Sequence, residues 1–241
     1  MTKKTTNVVV DHYLDNLITD RLVLLNEERE TAHKKSGKLS AGKLGDPLQW
    51  QILYALGVPG KELDPYVLRK FLRGNQVEDW LIEQLNPIAK QEFVEYRDVV
   101  GYIDALVDTS LWENNYGIIP FEVKSVTGLK FKRIEQEGPQ RGHKLQAGLY
   151  ALGKGTPHFA IAYVSADDLR VKVIIEETKN IKAEIDEIIT LYEDTRKKGI
   201  IPAFAPIESW QGNLEYCRYP SYMALTEEEA TKKYLEDKKI I

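Results

Sequence analysis

The sequence predicts an α/β fold, a stranded core behind a helical N-terminal region. Three observations predict it. Apolar residues recur at helical spacing through most of the first 85 positions. The character changes near Glu92, where short β-rich runs begin. Those runs then alternate with helical segments as three strands, a helix, two strands and a helix. The expected organisation is a helical region over 1–88 packed on the core, the core itself over 89–222, and a helical tail over 223–241.

Element by element, Val10, Tyr13, Leu14, Leu17 and Ile18 form a helical stripe within residues 8–30, interrupted at Arg21 and resumed at Leu24 and Leu25. His33 to Lys43 is basic and Gly-rich and reads as a loop, with Ser40 able to cap a following helix. Residues 47–56 form that helix, ended by Gly57 and Pro59. A longer helix begins after Asp64-Pro65 and runs to Leu85, with Gly74 as a weak point. Glu92–Asp98, Val100–Val107 and Gly117–Val126 read as strands, and Pro120 suggests an edge position or a bulge in the third. Residues 127–142, with Gly128, Gly138, Pro139 and Gly142, read as a long loop. A helix over 143–153, strands at Phe159–Ser165 and Val171–Glu177, and a helix through Ile181, Ile185, Ile188, Ile189 and Tyr192 follow. Thr226-x-x-Glu229 is a capping box that opens a charged tail helix.

The composition is that of a globular chain: 241 residues, 43% hydrophobic and 29% charged. No apolar run reaches the roughly 18 residues of a membrane span, and the polar start followed by three valines is too short for a signal-peptide core. A cytoplasmic protein with no membrane partner is expected. With the single cysteine Cys217 there is no intrachain disulfide and no cysteine-built cluster. The net charge of −4 excludes a globally basic nucleic-acid binder but not a local basic patch.

Three short stretches carry chemistry together: Gly101-Tyr102-Ile103-Asp104, Phe121-Glu122-Val123-Lys124 and Gln146-Ala147-Gly148-Leu149-Tyr150. On a strand Glu122 and Lys124 share one face. A carboxylate and an ammonium among apolar neighbours are costly unless paired or solvated, and a divalent cation resolves that cost. Asp104, Glu122 and the Val123 backbone carbonyl would supply hard oxygen ligands suited to Mg²⁺ or Mn²⁺. Lys124 would orient the attacking water or stabilise developing charge. Gln146 and Tyr150, at i and i+4, share a helix face that could cover the site. Lys130, Lys132, Arg133, Arg141, His143 and Lys144 supply the local positive charge for phosphate contacts.

Glu-x-Lys alone is common, and a surface ion pair explains it as well. The three stretches in order are more specific, and they resemble motifs of the RecB-type nucleases of the PD-(D/E)XK superfamily, the group that includes AddAB nuclease domains and CRISPR-associated RecB-like exonucleases. The resemblance covers roughly residues 38–222. It implies a restriction-endonuclease-like core, a mixed central sheet flanked by helices. It further implies metal-dependent phosphodiester hydrolysis on DNA, mostly as an exonuclease on single strands or duplex ends. A structure-specific endonuclease and a non-catalytic DNA-binding subunit are the alternatives. Asp104 and Glu122 resemble the metal ligands, Lys124 the catalytic lysine, and Gln146 and Tyr150 the substrate-ordering pair. Arg73 to Glu78 resembles a further motif in which Glu78 would join the metal; an exposed helical glutamate is the plain alternative. A homo-oligomer and a helicase or recombination partner stay open.

Many members of that group hold an iron–sulfur cluster on four cysteines. Ser40 to Pro47 and Trp210 to Tyr222 resemble the two cysteine regions but keep only Cys217, so no cluster is expected. Contacts from Trp210, Tyr216 and Tyr219 would replace that staple. Gly37 to Lys43 matches G-x-x-x-x-G-K, but Leu44 stands where a phosphate loop needs Ser or Thr. Trp50 and Tyr54 read as core, Asp108 as a turn former, and Trp112 as a partner contact.

Overall fold

The β-rich runs pair around one strand. The computed structural model describes residues 12–32 and 37–238. Their elements are α1 (His12–Ala32), β1 (Leu39–Ser40), α2 (Leu48–Ala55), α3 (Pro65–Leu85), β2 (Ala89–Tyr96), β3 (Val99–Asp108), β4 (Ile118–Val126), α4 (Gly128–Glu137), α5 (Arg141–Lys154), β5 (His158–Ser165), β6 (Val171–Glu177), α6 (Lys179–Lys198) and α7 (Glu227–Lys238). Two compact units result. One takes in α1 with Glu62–Arg73; the other holds the sheet, the residues from β1 to Lys61 and everything from Gly74.

In the first unit α1 runs unbroken past Arg21. Leu17, Ile18, Leu24 and Leu25 are exposed on it. Val10 and the side chains of Tyr13 and Leu14, the rest of the expected stripe, lie outside the described residues. The Arg69 guanidinium donates to the Thr19 hydroxyl at 2.7 Å. Asp64 caps α3 through the Tyr66 N–H at 2.7 Å. The helix continues through Gly74, which is where the two units divide.

In the second unit six strands form one mixed sheet, ordered β1-β3-β4-β5-β6 with β2 also on β3. β2 runs antiparallel to β3 from Ala89↔Leu106 to Tyr96↔Val99, so it occupies one edge of β3 almost throughout. The other edge is divided. β4 pairs there only from Asp108↔Ile118 to Ala105↔Phe121, and β1 pairs in parallel only at Val99 and Val100. Residues 101–104 therefore have no strand on that side. From Phe121 onward β4 pairs in parallel with β5.

Helices cover both faces. Ala105, Val107, Phe121, Val123, Ala160 and Ala162 pack under Val77, Leu81 and Ile82 of α3. Ile103, Leu106, Val126, Ile161 and Tyr163 pack with Leu145, Leu149 and Tyr150 of α5 and with α2 and α6. This is the expected α/β, restriction-endonuclease-like core.

The structure bears on five expectations. Residues 127–142 are not one loop. Thr127 precedes α4, whose Phe131 and Ile134, three apart, are buried, and Gly138 at φ 86° ends it. Its few apolar residues are masked by polar ones and by flanking glycines. Second, Pro120 stands at the expected edge position and not at a bulge. Pro120 lies one residue before β5 pairing begins, where β4 is paired on the β3 side only, so its missing N–H breaks no bond in the β5 ladder. Third, Leu39–Ser40 form β1 within the expected loop, and Ser40 makes no side-chain cap; residues 33–36 of that loop lie outside the described residues. Fourth, Trp210 and Tyr216 are exposed and only Tyr219 is buried. Cys217, Tyr219 and Tyr222 share the core cluster of Ala41 and Leu44, and hydrogen bonds flank it: the Gln49 amide donates to Pro202 O at 3.0 Å and Tyr222 O at 3.3 Å, and Lys61 N–H donates to Arg218 O at 2.7 Å. Fifth, Trp112, expected as a partner contact, is 37% exposed and meets the ring of Phe121 at 5.9 Å edge-on. Trp50 is core, stacked on Phe204 at 5.6 Å, and Asp108 makes its turn by accepting the Ser110 N–H at 2.9 Å. The Thr226–Glu229 box opens α7.

The close approach of α5 to β2 rests on a glycine. A Cβ on Gly153 would stand 2.4 Å from Val94 Cγ2 and 3.0 Å from Glu95 O. Neither neighbour is free to move, one being β-branched and the other backbone. Gly153→Ala is expected to destabilise the protein by about 1–3 kcal/mol, lowering the melting temperature by several degrees in calorimetry with the m-value unchanged.

Candidate active site at the open edge of β3

The four residues of β3 without a second strand are Gly101, Tyr102, Ile103 and Asp104. Opposite Asp104 the β2 ladder is also interrupted: Gln91 has no pairing partner and adopts φ 49°. The alternation of β3 slips there. Ile103 and Leu106 pack on the α5 face, yet Ala105 and Val107 pack on the α3 face. The slip turns Asp104 into the gap that β4 leaves. Its Oδ2 accepts the Val123 N–H at 2.8 Å, replacing with a carboxylate the main-chain bond the ladder would have made.

Glu122 and Lys124 lie across this gap, on the same face of β4, and form an ion pair. Glu122 is 1% exposed, and its Oε2 has no hydrogen-bond partner. Glu78 reaches in from α3, half-buried, and accepts from the Gln91 amide at 3.2 Å. The same amide bonds to Asp104. One glutamine thus links two carboxylates that come from different elements.

The electrostatics follow from that crowding. Burial pushes the Glu122 carboxyl up to about 8 against the pull of Lys124, with Asp104 and Glu78 adding to the rise. Burial and the Asp104 charge raise Glu78 to about 7. Burial also raises Asp104, opposed by the Val123 N–H and Lys124. Burial works against the Lys124 ammonium too, but the facing carboxylates, Glu122 first, outweigh it and hold its pKa above that of an ordinary lysine. The two partners shift in the same direction for different reasons. One ammonium does not repay the desolvation of Glu122, whereas three carboxylates more than repay that of Lys124.

On the α5 side, Tyr150 is buried over Gly101, and a Cβ there would stand 2.7 Å from its Cε1. The absence of a side chain at Gly101 lets the ring reach the gap. Gln146 donates to the Tyr150 hydroxyl at 2.9 Å, and burial raises the phenol pKa beyond the ordinary range. The Tyr163 hydroxyl accepts the Gln140 N–H at 3.1 Å and lies 2.9 Å from His143 Nδ1. A hydroxyl can accept twice as well as donate, so which of the two groups gives the hydrogen follows from the imidazole tautomer. Burial, with Lys124 and Lys130 nearby, lowers the His143 pKa to about 3, so the ring is neutral.

The six basic residues expected on one loop stand on two helices: Lys130, Lys132 and Arg133 on α4, and Arg141, His143 and Lys144 at the start of α5. Three are ion-paired within the chain, Arg133 with Glu137, Arg141 with Glu184 and Lys144 with Glu176. Sequence reasoning missed Gln91 and Tyr163. Neither carries a signal: glutamine is not a turn residue, and Tyr163 sits in an apolar strand.

Among the described residues no three His, Cys, Asp or Glu side chains close round one point as a finished metal cage. The donor chemistry nonetheless fits a divalent cation. It is all oxygen, it includes a buried carboxylate oxygen with no partner, and its carboxylates raise one another's pKa as groups short of positive charge do. Asp104, Glu122 and Glu78 would hold such an ion, with modest side-chain rotation at the half-buried Glu78.

No protein-family model and no curated protein sequence matches the chain. Solved structures do. The crystal structure of SSO0001 has a TM-score of 0.54 at 17% identity, over 83% of this chain and 92% of that one. An alkaline exonuclease from Laribacter hongkongensis, LHK-Exo, has a TM-score of 0.52 at 13% identity, over 68% of this chain and 90% of that one. At such identities the likeness is one of fold.

The raised carboxylates predict a pH dependence. The folded chain holds protons on Glu122 and Glu78, at about 8 and 7, which the unfolded chain releases near the ordinary 4.5. Their stabilising contribution is complete below the unfolded value and is lost as pH rises through the folded ones. His143 acts only below its unfolded value of 6.5. In EDTA the melting temperature should therefore fall between about pH 6.5 and 8.5. Glu122→Gln should flatten that fall, and a melting temperature that climbs over this window in EDTA would contradict the assignment.

Proposed function

We propose that this chain is a metal-dependent deoxyribonuclease that hydrolyses phosphodiester bonds, acting as an exonuclease on single-stranded DNA or duplex ends. One observation carries the reading: Asp104, Glu122 and Lys124 meet where β4 leaves β3, and a buried Glu122 oxygen there lacks a partner. The fold shared with an alkaline exonuclease supports it. So does the motif order, with Gln146 and Tyr150 beside the same gap.

In this reading Asp104 and Glu122 would hold Mg²⁺ or Mn²⁺, with Glu78 and the Val123 carbonyl as further oxygens, and the ion would supply a Lewis acid for the phosphate and for water. The Lys124 ammonium, 28% exposed, stands at the mouth of the gap, where it orients the nucleophile and stabilises charge building on the phosphate. With an ion bound, Glu122 would no longer depend on Lys124 for its counter-charge, and the Lys124 ammonium would be available to the substrate. Neutral His143 would add no charge, and in the tautomer that carries Nε2–H it would donate to a phosphate oxygen. Arg141 and Lys144 would exchange their carboxylate partners for DNA phosphates, and Lys130, Lys132 and Arg133 would steer the strand.

End-labelled linear single-stranded, linear duplex and closed circular DNA, each with Mg²⁺, Mn²⁺ or EDTA, test this directly. Metal-dependent loss of the linear substrates with the circle intact is expected, and cutting of the circle would favour the endonuclease alternative. Lys124→Ala should lower the rate by at least 10²-fold while DNA binding persists; wild-type turnover by that variant would overturn the mechanism. Asp104→Ala and Glu122→Ala should each abolish Mn²⁺ binding in calorimetric titration.

A further inference from the structure

One residue beside the gap belongs to none of the three motifs and yet touches two of the carboxylates. The β2–β3 ladder is continuous from Ala89↔Leu106 to Tyr96↔Val99 except for one rung, where Gln91 falls opposite Asp104. The side chains change faces at that rung in both strands. On one side of it Lys90 lies opposite Ala105, which packs on the α3 face. On the other side Glu92 lies opposite Ile103 on the α5 face and forms an ion pair with Lys154 of α5. Residues two apart on a regular strand would share a face. The two strands therefore slip together, with Gln91 in the left-handed region at φ 49°, and the Gln91 and Asp104 side chains emerge at the same place.

Packing does not call for a glutamine there. Gln91 is exposed, and glycine or asparagine meets a left-handed backbone at lower cost. What the glutamine adds is its amide, whose nitrogen carries two hydrogens and no formal charge. It donates to Glu78 Oε1 at 3.2 Å and also bonds to Asp104. Each carboxylate oxygen has more than one lone pair, so these bonds do not bar a cation from the same groups. Two carboxylates from different elements repel one another when no cation lies between them. A shared amide opposes that repulsion and fixes the rotamer of Glu78, a long side chain with several to choose from. Ligands held in advance lose less freedom when an ion binds.

We propose that Gln91 is a positioning residue of the cation site, its amide holding the Glu78 and Asp104 carboxylates together before an ion arrives and so raising the affinity for a divalent cation. The inference rests on the nuclease reading and deepens it at the ion. Partners that orient carboxylate ligands in this way are worth about 10-fold to 100-fold in metal affinity.

The test is calorimetric titration of Mn²⁺ into the full chain as wild type, Gln91→Gly and Gln91→Met, each checked by circular dichroism. Glycine keeps the left-handed backbone and removes the amide. Methionine keeps the length of glutamine and its demand on the backbone but has no hydrogen to donate. Both variants should bind Mn²⁺ about tenfold more weakly or worse, and the rise in melting temperature that Mn²⁺ gives wild type should shrink in both. A purely structural role at this position would move the melting temperature in EDTA and leave Mn²⁺ affinity where it was. Wild-type Mn²⁺ affinity in either variant overturns the proposal and leaves the nuclease reading intact. Wild type that takes up no Mn²⁺ overturns both.

Discussion

Strand β3 has two edges and three claimants. β2 takes one edge along nearly all its length; β4 and β1 divide the other and leave four residues between them unpaired. In a sheet that is a cost, since buried main-chain groups demand partners. The Asp104 carboxylate meets part of it by accepting the Val123 N–H. The same substitution brings a second carboxylate and a lysine to the same place, because β4 begins its parallel pairing with β5 at that point and turns Glu122 and Lys124 toward the gap. The chemistry sits where the sheet cannot close.

That geometry explains why the motifs read as they do. Gly101 admits the Tyr150 ring, and Gly148, inside the third motif, lets α5 lie against α6, where a Cβ would stand 2.5 Å from Ile181 Cγ2. The glycines set how near α5 comes, and that nearness sets where Gln146 and Tyr150 end up.

Much of this was legible from residue order. Alternation put Glu122 and Lys124 on one face, and Ile181, Ile185, Ile189 and Tyr192 marked the buried side of α6. What was not legible depends on exceptions to periodicity. The slip at Asp104 needs a left-handed Gln91, and no residue there announces one. Helix α4 was hidden because its apolar side is only Phe131 and Ile134 in a polar run. Pro120 did mark an edge position, but only a local one, since β4 has one neighbour at that residue and two just beyond it.

The hydrogen bonds that join Gln49 to Pro202 and Tyr222, and Lys61 to Arg218, fasten a segment before the sheet to one after it. They act as a clasp across the primary structure, made of amides and carbonyls. Its strength is set by how well water is kept out. Loosening either segment would wet the other, so the two ends of the core should open together rather than fray in turn.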